Sequence, residues 1–141
     1  MLETELNEKS LYKRLRRRAI RRRSKVVLNR KGSGCEDRSD PRILVNHSTP
    51  ARLIELSRGG AAVFTKAPLR MGESLALTLT LGKESPLRAV GEVIGGKKVE
   101  KHGGYLAQFK FLCPNPEHVE TIDHFLVEID SLIAQEMKMV L

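Results

Sequence analysis

Leu75–Leu81 reads LALTLTL, with leucine in every second place and alanine or threonine between. Successive side chains of an extended chain point to opposite faces, so this period of two sets one face in a core and leaves the other half-wet. The neighbouring stretches repeat the theme. Lys25–Asn29 (KVVLN), Ala51–Leu56 (ARLIEL), Ala61–Thr65 (AAVFT), Leu87–Ile94 (LRAVGEVI) and Tyr105–Leu112 (YLAQFKFL) are short strand candidates, and Gly91 marks a candidate bulge. Between them lie turn signals: a Gly, Ser, Asp and Pro cluster at Arg30–Pro41, SRGG at 57–60, PLRMG at 68–72, and a polar hairpin loop at Gly95–Gly104. Ile43–Val45 reads as a small extended piece. Six short strands with close-set turns predict a mainly β domain, a barrel or a sandwich.

Beyond the strands the period changes. Asn115 is placed to cap a helix, Pro116 to occupy its first position, and Glu117 to suit its first turn. Val119, Ile122, Leu126, Ile129, Leu132, Ile133 and Val140 then fall near one stripe, with Phe125 beside it. The first half of this helix is expected to pack on its own domain. The distal half, Leu132–Leu141, is free to serve as a partner surface, including one for a homodimer.

The charge sits at the other end. Nine of the thirteen residues from Lys13 to Lys25 are basic, in the run KRLRRRAIRRRSK. From Val26 onward, fifteen Lys and Arg face fourteen Asp and Glu, so the net charge of +8 belongs to one short segment. Such a field recruits a polyanion. Arginine predominates, and its planar fork grips phosphate or a guanine edge in a bidentate way that an ammonium cannot match. Residues 1 to about 12 read as polar and loosely ordered. Leu11, Leu15, Ala19 and Ile20 sit at helical spacing, but like-charge repulsion opposes an isolated helix, so a short basic helix and an extended arm both stand.

A chain of 141 residues suits one domain with appendages and needs no staple. Cys35 and Cys113 match no metal-ligand spacing and read as reduced thiols. His47, His102, His118 and His124 are scattered, so no metal site is expected. No apolar run approaches a bilayer span, and the start MLETELNEKS has no apolar signal region, which predicts a soluble, cytoplasmic protein. The absence of tryptophan argues against a stacking platform for single-stranded nucleic acid. No nucleophile–base pairing is evident, and no catalysis is expected.

Two separated pieces gain meaning together. Arg17-x-x-x-Arg21 and Arg18-x-x-x-Arg22 lie ahead of the first strand, and Glu55-x-Ser57-x-x-Gly60 follows at a strand end. With LRAVGEVIG at 87–95 and GGYLAQFKF at 103–111, this arrangement resembles the PilZ domain over residues 16 to 126. The pattern of that family is R-x-x-x-R before the first strand and D/N-x-S-x-x-G in the barrel. Arg38-x-x-x-Arg42 also satisfies the first half, although it leaves little room for a preceding strand.

The resemblance implies a small six-stranded antiparallel β-barrel over 24–113, a flexible basic arm over 1–23 and a C-terminal helix over 115–141. It implies cyclic di-GMP as ligand, with no further cofactor. Arg17, Arg18, Arg21 and Arg22 would clamp, and Glu55, Ser57, Arg58, Gly59 and Gly60 would form the floor. The chemistry fits: arginine can pair with guanine O6 and N7 or with phosphate, and a carboxylate can accept from guanine N1 and N2. Glycines at the turn allow close approach and positive φ. Folding of the arm over the ligand would present a new surface to a protein partner. Two departures stand out. Glu55 adds a methylene to the family's Asp or Asn, and Gln108 stands where many relatives carry glycine. Relatives with altered motifs act as adaptors without nucleotide, so a protein-contact adaptor remains one alternative and a basic nucleic-acid-binding module another.

Overall fold

LALTLTL folds as its alternation requires. In the computed structural model, which describes residues 2–30 and 47–140, strand β4 spans Ser74–Leu81, and Leu75, Leu77, Leu79 and Leu81 are all buried. Thr78 on the other face accepts a hydrogen bond from Asn29 Nδ2 at 3.1 Å, and Asn29 Oδ1 accepts one from Ser48 Oγ at 2.8 Å. Thr78 therefore belongs to a polar chain across the outside of neighbouring strands.

The other strands are β1 (Ser24–Arg30), β2 (His47–Leu56), β3 (Gly60–Thr65), β5 (Leu87–Val99) and β6 (Gly104–Leu112). All pairings are antiparallel, and the sheet closes in the order β1-β2-β3-β6-β5-β4. The inward set, including Val26, Leu28, Leu53, Leu56, Val63, Val93, Phe109 and Phe111, fills the barrel. Closure leaves no unpaired sheet edge among these strands.

Two local expectations are corrected. Gly91 is no bulge, since its register against both neighbours is continuous. A Cβ there would lie 2.7 Å from Leu77 Cδ1 and 3.1 Å from Phe109 Cδ1, so glycine makes room for the core. The irregularity falls instead between Val93 and Gly95, with a second in β2 between Leu53 and Glu55. Nor is Gly95–Gly104 a loop. β5 and β6 stay paired out to Val99 and Gly104, joined by one 3₁₀ turn at Glu100–His102 and by Gly103 at φ +64°. Backbone pairing in a hairpin proceeds without apolar side chains, and the lysines here face solvent.

Helix α1 spans Leu2–Arg23, so helical backbone extends well ahead of Leu11, where the apolar spacing begins. Tertiary contacts overcome the repulsion among its arginines. Leu15 and Ile20 are buried, Leu11 and Ala19 pack at the edge of the core, and the helix lies against α2 and β2. Arg21, Arg22 and Arg23 fall in the last turn, where cations complement the helix dipole. Ser24 Oγ bonds to Ile20 O, Gly82 N–H donates to Arg23 O at 2.7 Å, and β1 begins with no linker.

Helix α2 spans Pro116–Val140, and Asn115 Oδ1 caps it by accepting from Glu117 N–H at 2.8 Å. Its buried stripe is Ile122, Phe125, Ile129 and Ile133. Phe125 lies at the centre of that stripe and Leu126 at its flank. Arg38, Arg42, Cys35, the extended piece Ile43–Val45 and most of the loop around them lie outside the described residues.

Candidate functional site

The β2–β3 corner is a tight hairpin. Ser57 N–H donates to Gly60 O at 2.9 Å, Gly60 N–H returns to Ser57 O at 3.4 Å, and Ser57 Oγ reaches Gly60 O at 3.3 Å. Phe111 N–H donates to Gly59 O at 2.8 Å, which ties the corner to β6. The glycines serve proximity rather than positive φ, since neither Gly59 nor Gly60 has a left-handed backbone. A Cβ on Gly60 would lie 2.0 Å from Phe109 O, so β3 meets β6 there only through glycine. Nothing lies within 4 Å of the corresponding point on Gly59.

Glu55 is half-exposed beside this corner. Its Oε1 accepts from Arg16 Nε at 2.7 Å and from Leu56 N–H at 3.2 Å. Arg16 also reaches Asp130 Oδ1 through Nη1 at 3.3 Å and Leu56 O through Nη2 at 3.4 Å. Tyr12 OH donates to the same Asp130 oxygen at 3.0 Å. Burial works against the Arg16 charge, but the hydrogen bond and attraction of Glu55 outweigh it and raise the arginine pKa. One guanidinium thus joins α1, β2 and α2.

Arg58 turns from the corner to α2. Its Nε and Nη2 grip Asp123 at 2.8 and 2.7 Å, and that pairing raises its pKa although the side chain is open to solvent. Glu55, Ser57, Gly59 and Gly60 line a cavity of about 290 Å³, whose far wall is Ile94, Gln108 and Lys110. Four of the expected floor residues therefore converge; Arg58 does not line this cavity.

The expected clamp divides. Arg21 borders a different cavity, of about 870 Å³, on the same side of the barrel. Arg17, Arg18 and Arg22 are exposed and line neither cavity. The arginine that touches the floor is Arg16, which belongs to the basic run but not to the four arginines expected to clamp. A signal existed: Arg16 stands three and four residues before Ala19 and Ile20, on the flank of the apolar stripe. Gln108 stands out in the sequence as a departure from the family's glycine, whereas Lys110 is visible there only as a residue of an alternating strand. Among the described residues, no group of three His, Cys, Asp or Glu is placed to hold a metal, and no helix is long and apolar enough to cross a membrane.

The model of the PilZ domain family matches residues 15–128. The chain belongs to the PilZ domain family. Among solved structures, YcgR from Escherichia coli in complex with c-di-GMP is similar at TM-score 0.62 and 15% identity, over 83% of this chain and 46% of that one. A PilZ domain of Escherichia coli YcgR with c-di-GMP gives 0.57 and 15%, over 81% and 88%. The K. pneumonia MrkH–c-di-GMP complex gives 0.60 and 13%, over 80% and 50%. At these identities the likeness is one of fold, and this PilZ chain spans about half the length of the YcgR and MrkH chains. No curated protein matches it in sequence.

Proposed function

We propose that this PilZ protein is a receptor for cyclic di-GMP. The observation that carries the reading is the meeting of Glu55, Ser57, Gly59 and Gly60 at one cavity, with α1 fastened to the same carboxylate through Arg16. A guanine edge in that cavity presents N1 and N2 hydrogens, which Glu55 can accept, while Arg18, Arg21 and their neighbours supply donors for phosphate or for O6 and N7. Such a guest competes with Arg16 for Glu55. Release of Arg16 removes one of the two α1 contacts with Asp130, the other being that of Tyr12, and so loosens α1 toward a state in which the flank of α2 beneath it is available to a protein partner or a second copy. The ligand favours the loosened helix because that state releases the carboxylate oxygen that Arg16 otherwise holds.

Isothermal titration of cyclic di-GMP into the full chain tests the reading. Saturable binding, lost in Ser57→Ala and in Arg17→Ala with Arg21→Ala, is expected. A second reading rests on the Arg16–Glu55 and Arg58–Asp123 pairs, which occupy two of the expected floor residues without any guest. It makes the chain a nucleotide-independent adaptor, and absence of heat at high ligand concentration would favour it. Strongly salt-dependent binding to any nucleic acid would favour a basic nucleic-acid module instead.

A further inference from the structure

The cavity at the Ser57–Gly60 corner covers only part of a larger surface. On the outward face of β3 and β6, Ala62 pairs with Gln108 and Phe64 pairs with Leu106. The first pair lines the 290 Å³ cavity, and the second lines the 870 Å³ one. Residues two apart on a strand share a face and lie about 7 Å apart. The two cavities therefore abut, one repeat of the pleat from each other. The smaller stands at about the lower bound for small-molecule sites, roughly 300 Å³, and does not hold two nucleosides.

The larger cavity has its own chemistry. Arg21 comes from the end of α1, Arg52 from β2, Lys66 from the end of β3 and His102 from the 3₁₀ turn, and no acidic side chain is in its lining. None of these four has an acidic partner among the described residues. The floor is apolar. Phe64 and Leu106 are half-buried, and His102 meets the Phe64 ring edge to face at 6.3 Å and 89°. A bare phosphate needs the cations but not the floor. A planar ring carrying a phosphodiester uses both, the ring against the apolar face and the anion on the guanidinium and ammonium groups.

We infer that the binding site is bipartite, and that the Arg52–Lys66–Phe64 cavity receives the second phosphate-and-base half of the dinucleotide whose first half enters at Glu55 and Ser57. This rests on the function proposed above. The arrangement assigns recognition to residues outside the arginine and serine–glycine motifs. It also gives Arg21 a task distinct from that of Arg16: one closes over the second half, and the other yields the first.

The test is calorimetry of the full chain with cyclic di-GMP and, separately, with GMP. Arg52→Ala with Lys66→Ala changes only exposed side chains and is expected to weaken cyclic di-GMP by tenfold or more, with a shallower salt dependence, while leaving GMP unchanged. Phe64→Leu keeps the floor apolar and removes the ring; it is expected to weaken cyclic di-GMP about fivefold. Lys83→Ala with Arg88→Ala removes the same charge elsewhere and is expected to change neither ligand. Unaltered cyclic di-GMP affinity in the Arg52/Lys66 variant, with wild-type binding intact, overturns the bipartite site and spares the receptor reading. An equal loss in the Lys83/Arg88 control overturns it as mere net charge. No binding by wild type overturns both.

Discussion

Arg16 Nε lies 2.7 Å from Glu55 Oε1, although 39 residues separate them in sequence. The contact fixes the N-terminal helix to the strand that carries the family's acidic motif position. Arg16 is well covered and Glu55 is half-exposed, so the pair contributes modestly, about 1 kcal/mol after solvent screening. Its importance lies in what it occupies.

Arg16→Ala is expected to lower stability by about 1 kcal/mol and to speed amide exchange from Leu11 to Arg23, while β4 keeps its protection. If Glu55 is the ligand's acceptor, the same variant binds cyclic di-GMP more tightly, because the competitor is gone. Exchange mass spectrometry and calorimetry read the two effects, and unchanged exchange in α1 would show that the pair does not hold the helix.

The pair also has a pH signature. A raised arginine pKa stabilises the fold below the unfolded value and is lost only as pH rises through the folded one, beyond the ordinary arginine range. Arg16 itself therefore contributes no slope between about pH 6 and 9. Amide exchange of α1 corrected for its intrinsic pH dependence is therefore expected to stay flat across that range, and a slope there would show that a group other than Arg16 governs the docking of the helix.

Gly60→Ala and Gly59→Ala form a controlled contrast. The first forces a Cβ to 2.0 Å from Phe109 O and is expected to cost about 3 kcal/mol as β3 is pushed from β6. The second meets open space and should change stability by less than about 1 kcal/mol. Denaturant midpoints test both, and Gly59→Ala leaves a folded protein in which the effect on ligand binding can be read alone.

Asp123→Asn is expected to release Arg58 from its bidentate partner without unfolding α2, whose buried stripe is elsewhere. If Arg58 serves the nucleotide, affinity rises several-fold. If affinity stays the same, Arg58 belongs to α2 docking alone.

Glu55→Asp withdraws the carboxylate by about 1.5 Å, the length of one C–C bond. The hydrogen bond to Arg16 is then out of reach, and the family's shorter acid is restored. Tighter cyclic di-GMP binding with faster exchange in α1 is the expected outcome; weaker binding would show that the longer side chain suits this site.

The strand-rich body was legible because Leu75, Leu77, Leu79 and Leu81 alternate without interruption, and the corner because Ser57 and Gly60 punctuate a strand end, while the choice of barrel over sandwich came from the family resemblance. The hairpin arms beyond Gly95 were not legible, since paired backbone needs no apolar side chain and Lys97 and Lys98 read as loop. The helical state of residues 2–10 was equally hidden, because α1 is held by contacts with α2 and β2 that no local pattern shows. The choice of Arg16 over Arg17 and Arg18 required knowing which side of that helix meets β2. Phe64 and Lys66 were read only as parts of a strand and its end, and their meeting with Arg52 and His102 depends on barrel register.

Gly82 N–H holds the carbonyl of Arg23, and β1 starts at the next residue. The helix is anchored there without slack, like a lever on a fixed pivot. At 1.5 Å per residue its 22 residues reach about 33 Å, so any detachment is an arc whose sweep grows toward Leu2. A spin label at Lys9 should therefore register a far larger displacement than one at Arg22, and equal displacements would mean that the pivot itself had melted.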